Sequence, residues 1–199
     1  KLLIAARSGE LVELAMDSGR TVVLDEAHAR TKTLATEAHG LDAHPTNPDL
    51  YATSGDDGTV RGWSGSTRRC LLRCPPELVA CAAVRCCAWA PDGSRLAVGL
   101  GGDPADRNRD GTLVLMRVDT TDALPEVLSE VRKSKAPLVD LKWSTDGTVV
   151  VAASEDSRVY VHDGKDGSLR TMCSKAGASL TAVDVSSDKS NLKAASAHD

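Results

Sequence analysis

Asp106-Arg107-Asn108-Arg109-Asp110-Gly111 puts oxygen-bearing side chains at alternate positions ahead of a glycine, the opening of a calcium loop. Such a loop needs a bidentate Glu at its twelfth position, which here is Arg117. Two arginines also interleave the would-be ligands Asp106, Asn108 and Asp110, so the segment reads as a solvated loop. Cys70 with Cys74, and the adjacent Cys86 and Cys87, come nearest to zinc spacing. A structural zinc site needs four convergent ligands, whereas neighbours on a strand point to opposite faces. These cysteines therefore read as small apolar side chains in tight packing. The histidines His28, His39, His44, His162 and His198 are scattered, and no Gly-x-Ser-x-Gly elbow supplies a hydrolase nucleophile. Gly99-Leu100-Gly101-Gly102 lacks the Lys-Ser/Thr of a phosphate loop. Asp56-Asp57 reads as an acidic hairpin turn. No catalytic residue, cofactor or metal is expected.

The elements around these residues recur. Gly40–Pro45 with Leu50–Trp63, Cys87–Gly99 with Asp110–Leu115, and Leu141–Ser154 with Ser157–Asp163 share one order: apolar run, short turn, small-residue strand, Asp-containing turn, strand. Ala43, Trp89, Trp143 and Val185 stand at matching points, 46, 54 and 42 residues apart. A propeller blade repeats at about 40–45 residues. The excess in the longest unit sits in Gly101–Asp110, a polar insertion. Asp57-Gly58, Asp92-Gly93, Asp110-Gly111 and Asp146-Gly147 suit tight hairpins, because glycine tolerates positive φ.

The expectation is an all-β propeller with about three whole four-stranded blades and partial blades at both ends, part of a larger ring or tandem propeller. The blades are expected at 26–78, 79–132 with its inserted loop 101–110, and 133–176. Residues 1–25 end one blade, as its last two strands, and 177–199 begin another, with strands at Leu180–Val185 and Leu192–Ala195. Trp63, Trp89 and Trp143 read as core. A first residue Lys1 in place of Met, and two open ends, are expected of a piece of a longer chain whose neighbouring blades cover it.

With 24 basic and 28 acidic residues, the formal net charge of −4 argues against a nucleic-acid partner. No apolar run approaches the roughly 18 residues of a membrane helix. Apolar residues make up 41% and aromatics 3%, so a sizeable core must be aliphatic. The cysteines lack the spacing of a disulfide scaffold and are expected to be reduced thiols in the cytoplasm.

Ser54-Gly55-Asp56-Asp57-Gly58-Thr59-Val60-Arg61-Gly62-Trp63 resembles the WD-repeat signature, with Ser64 where an Asp is usual. The resemblance implies a polar network joining His28, Thr53, Asp57 and Trp63. Leu115 and Val161 stand near the Trp position in later units, so the network is expected in one blade at most. Gly40–Pro45, Leu3–Leu14, Ala88–Gly99 and Arg132–Leu141 together resemble the echinoderm microtubule-associated protein-like family across nearly the whole chain. That resemblance implies a non-enzymatic microtubule-associated or axonemal scaffold, binding tubulin or cytoskeletal partners in the cytoplasm, on the cytoskeleton or in the ciliary or flagellar axoneme. The candidate contacts are Arg107, Arg109, Arg132, Lys133 and Lys135. The alternative is a general WD-repeat adaptor that recruits client proteins to a signalling or ubiquitin-ligase complex.

Overall fold

The computed structural model describes residues 1–6, 8–24, 28, 37–79, 82–103, 107–118, 124–174, 177–186 and 196–197. Short apolar runs punctuated by Gly, Pro and Asp become antiparallel strands. Blade one is β4 (Ala38–Ala43), β5 (Leu50–Gly55), β6 (Val60–Ser64) and β7 (Cys70–Cys74). Blade two is β8 (Val84–Trp89), β9 (Arg95–Leu100), β10 (Thr112–Arg117) and β11 (Glu126–Arg132). Blade three is β12 (Leu138–Trp143), β13 (Val149–Ser154), β14 (Val159–Asp163) and β15 (Leu169–Cys173). Each is a meander of hairpins.

Ahead of them stands a sheet of three strands, not two: β1 (Leu2–Ala5), β2 (Leu11–Leu14) and β3 (Thr21–Leu24). The hairpin that adds the third turns at Gly19, whose φ of 66° is costly for any other residue. Behind them β16 (Leu180–Ala182) pairs with β17 (Ser196–Ala197). The expected strand at Leu192–Ala195 lies outside the described residues. β1 lies against β4 as β5 lies against β8 and β9 against β12. β1 is therefore the second strand of its blade, and among the described residues its inner edge has no partner.

The core sits between blades. Alternation along β9 sends Leu96, Val98 and Leu100 toward blade one and Ala97 toward blade three. Both faces are buried, so the central strands read as continuous apolar runs. Trp63, Trp89 and Trp143 are all buried in these interfaces.

Polar pins supplement the apolar contacts. His44 Nδ1 accepts the backbone N–H of Asn47 at 3.0 Å, which shapes the turn, while its Nε2 lies 3.1 Å from Gly93 O in blade two. Arg68 of blade one forks onto Glu13 of the preceding sheet at 2.9 and 3.2 Å. Hydrogen bonds from Arg68 and Lys1 hold the Glu13 carboxyl down at about 2.

Every inner strand slips register by one residue near its start. The extra residue is His39 in β4, Arg85 in β8, Val139 in β12 and Thr181 in β16. Each outer strand slips again against the third, with its extra residue at Leu71 in β7, Leu128 in β11 and Arg170 in β15, opposite the step before Trp63, Met116 and His162. These β-bulges twist the sheet locally and re-aim the side chains beside them.

Candidate functional site

The turn between the second and third strands carries an Asp in every whole blade: Asp57, Asp110 and Asp156. In blade one the four residues named from sequence form a continuous chain. Trp63 Nε1 donates to Thr53 Oγ1 at 2.8 Å, Thr53 Oγ1 lies 2.9 Å from His28 Nε2, and His28 Nδ1 lies 2.9 Å from Asp57 Oδ1. The ionised Asp57 carboxylate can only accept, so the proton of its bond sits on His28 Nδ1, and in that neutral tautomer Nε2 accepts from the Thr53 hydroxyl. Thr59 and Arg61, missed from sequence, add bonds to the same carboxylate at 2.7 and 2.9 Å. Burial alone would raise the Asp57 carboxyl, but the bonds from His28 and Thr59 overcome it and hold the group at about 2.

The pairing registers align Trp63 with Met116 and His162, each opposite the matching residue of the second strand: Tyr51, Leu96 and Val150. This corrects Leu115 and Val161 by one residue, and one residue is a change of face. Leu115 packs toward blade three, whereas Met116 packs toward blade one. The position of Thr53 becomes Val98 and Ala152, so the hydroxyl disappears together with the Trp.

The turn Asp persists with other partners. Asp110 is buried and accepts Gly102 N–H at 2.8 Å. Asp156 takes the Tyr160 hydroxyl at 2.6 Å, and Ser134 Oγ lies 3.0 Å away. In blade one the unusual Ser64 donates to Asp49 at 2.7 Å, so a carboxylate still ties this turn, from another strand connection.

Of the candidate calcium ligands, Asp106 lies outside the described residues, Asn108 is exposed and Asp110 is committed to Gly102. Arg117 pairs with Glu126 at 2.7 Å. Cys70 and Cys173 are free and exposed, while Cys74, Cys86 and Cys87 are free and buried. Desolvation pushes the Cys74 and Cys87 thiols up to about 12, which makes them poor nucleophiles and poor ligands. Cys81 and His198 lie outside the described residues.

Among the described residues the one group with metal-ligand spacing is Glu37, His39 and Asp56. His39 Nε2 lies 3.0 Å from Asp56 Oδ1, but the Arg85 guanidinium is also 3.0 Å from that nitrogen. A cation already stands at the place a metal would take. Sequence spacing did not join these four residues; the bulges at His39 and Arg85 bring them together.

The basic candidates separate into two kinds. Arg109 pairs with Glu130 at 2.6 Å and is mostly buried, so its charge is used within the blade rather than offered to a partner. Arg107, Arg132, Lys133 and Lys135 are exposed. Arg132 donates to the carbonyls of Asp110 at 2.9 Å and Arg107 at 3.5 Å, which draws the insertion and the blade-to-blade crossing onto one end of the propeller.

Residues 73–115 and 127–163 match the family description "WD domain, G-beta repeat". Each matched segment starts in or just after the outer strand of one sheet, so the sequence repeat is offset from the blade. The blade holding the full polar chain lies largely outside both. Among solved structures, one chain of "Crystal Structure of Mitotic Checkpoint Complex" is similar over 92% of this chain and 49% of that one, at 17% identity and a TM-score of 0.70. The chain thus spans about half of that neighbour. Neither match separates the echinoderm microtubule-associated protein-like family from other WD-repeat proteins. Two segments that match the WD-repeat model, set within three stacked four-stranded blades, give this chain WD repeats and the fold of a partial β-propeller.

Proposed function

We propose that the chain is part of a non-enzymatic scaffold that binds other proteins, and that its partners are tubulin or axonemal proteins. One observation carries the scaffold reading. Asp57, His28 and Thr53 stand in acid–base–hydroxyl order, yet Thr53 is wholly buried and its oxygen already accepts from Trp63 at 2.8 Å. Such a hydroxyl braces a turn and meets no substrate. The rigid blades leave their connecting loops as the variable surface, where partners are met. The WD repeats support the same reading.

The choice of tubulin rests on the resemblance carried by Gly40–Pro45, Leu3–Leu14, Ala88–Gly99 and Arg132–Leu141. An exposed basic end supports an acidic partner. With this reading goes a cytoskeletal or axonemal location. The test is co-sedimentation of the full-length protein with polymerised microtubules. Saturable pelleting that weakens as salt rises is expected. Protein that stays in the supernatant at every microtubule concentration sinks the tubulin reading and leaves the adaptor.

A further inference from the structure

We propose that the end of blade two built by the insertion and the β11–β12 crossing docks an extended acidic segment of a protein partner, rich in Glu or Asp. This deepens the protein-binding reading and rests on it. Arg107 comes from the insertion, and Arg132, Lys133 and Lys135 from the crossing; all are exposed, and the hydrogen bonds of Arg132 join the two. Among the described residues no carboxylate forms an ion pair with Arg107, Lys133 or Lys135.

The neighbouring acids already have partners. Asp110 is held by Gly102 at 2.8 Å, Glu130 by Arg109 at 2.6 Å, and Asp156 by Tyr160 at 2.6 Å. Among the described residues of these turns, Arg107, Arg132, Lys133 and Lys135 are exposed cations, whereas Glu155 is the one exposed acid apart from Glu130, which Arg109 already pairs. Ser134 lies buried between the two lysines, with its Oγ 2.8 Å from Ser154 Oγ. This peg holds Lys133 and Lys135 outward before any partner arrives, which lowers the ordering cost of binding. On an extended peptide, side chains two residues apart share a face at a pitch of about 7 Å. Alternate carboxylates can therefore meet both lysines.

The same end suits nucleic acid and membranes less well. Tyr160 is buried, and no aromatic ring is offered for bases to stack on. The exposed large apolar side chains, among them Leu71, Leu124 and Met172, all lie outside 101–111 and 132–137, so nothing here would enter a bilayer.

The test uses the full-length protein and a labelled short poly-Glu peptide, read by fluorescence anisotropy. An RNA oligonucleotide and phosphatidylserine vesicles are run as competing probes. The double variant K133E/K135E should bind the peptide about tenfold more weakly, and R107E should weaken it further. R73E, on the exposed outer strand β7, should bind as wild type. Unchanged melting temperatures separate lost binding from lost folding. Equal peptide affinity in wild type and K133E/K135E overturns the proposal, as does tighter, lysine-dependent binding of RNA or vesicles. Pelleting with microtubules that K133E/K135E leaves intact keeps the scaffold reading and sinks this surface. Lysine-dependent peptide binding without pelleting keeps the surface and sinks tubulin.

Discussion

Thr53 does two jobs with one oxygen, and two substitutions separate the bonds from the packing. Thr53→Val keeps the volume, and blade two already has Val98 at this position. It strands Trp63 Nε1–H and His28 Nε2, so it should cost about 1–3 kcal/mol, read as a lower urea midpoint at constant slope. A midpoint equal to wild type would mean the chain of bonds is ornamental. Asp57 adds a pH signature. Its carboxyl is held at about 2, below the ordinary 3.8. The stability it adds is thus present above the ordinary value and lost as pH falls toward the folded one. Wild type should lose about 2 kcal/mol more than Asp57→Asn between about pH 5 and pH 2; parallel profiles would refute the assignment. All four members of this chain could be named from sequence, because a Trp, a strand hydroxyl, a turn Asp and an upstream His stand at familiar intervals. Thr59 and Arg61 could not, because either would suit an exposed strand equally well.

Strand order and blade count were legible because every turn has its Gly or Asp and every strand its apolar run. The bulges were not. Their extra residues, His39, Arg85, Val139 and Thr181, share no chemistry, so nothing in residue type marks them. Those at His39 and Arg85 are why the cluster of Glu37, His39, Asp56 and Arg85 went unseen; the Trp-equivalent position does not depend on them, because the second and third strands pair without a slip. Two substitutions probe how elements meet. A Cβ at Gly40 would stand 2.2 Å from Ser54 Oγ and 2.8 Å from Cys87 N of the next blade. Gly40→Ala should cost about 1–3 kcal/mol through overpacking, seen as a lower melting temperature; a gain would show that β4 has slack against β8. Asp42 makes the opposite case. It accepts Trp89 N–H across the blade junction at 2.7 Å, and burial raises its carboxyl. Its folded value lies above its unfolded one, so the charge penalises the fold at neutral pH and the penalty fades as pH falls. Asp42→Asn keeps an acceptor without the charge. It should be more stable than wild type near neutrality, with the gap closing in acid; a less stable variant at neutral pH would show that the charge strengthens the bond by more than its burial costs.

A stack of blades is stabilised at its junctions, so protection should follow position in the stack. Blade two has a neighbour on both faces, whereas β1 has no partner on its inner edge and β16 pairs with two residues only. Opening an end sheet exposes one junction, but opening blade two exposes two. In hydrogen exchange on residues 1–199 alone, the amides of β8, β9 and β10 should therefore exchange slowest, and those of β1 and β16 fastest. Within the insertion after β9, the amides of Gly101, Gly102 and Asp110 should be protected, because they are given to Ala83 O, Asp110 Oδ1 and Arg107 O. If a longer chain supplies the missing inner strand beside β1, protection at that strand should rise severalfold while β8 to β10 change little, because an unpaired edge gains a ladder and an interior blade gains nothing. Equal protection across all sheets in the short chain would mean that the segment opens as one unit, and stability would then have to be assigned to the whole stack rather than to successive junctions.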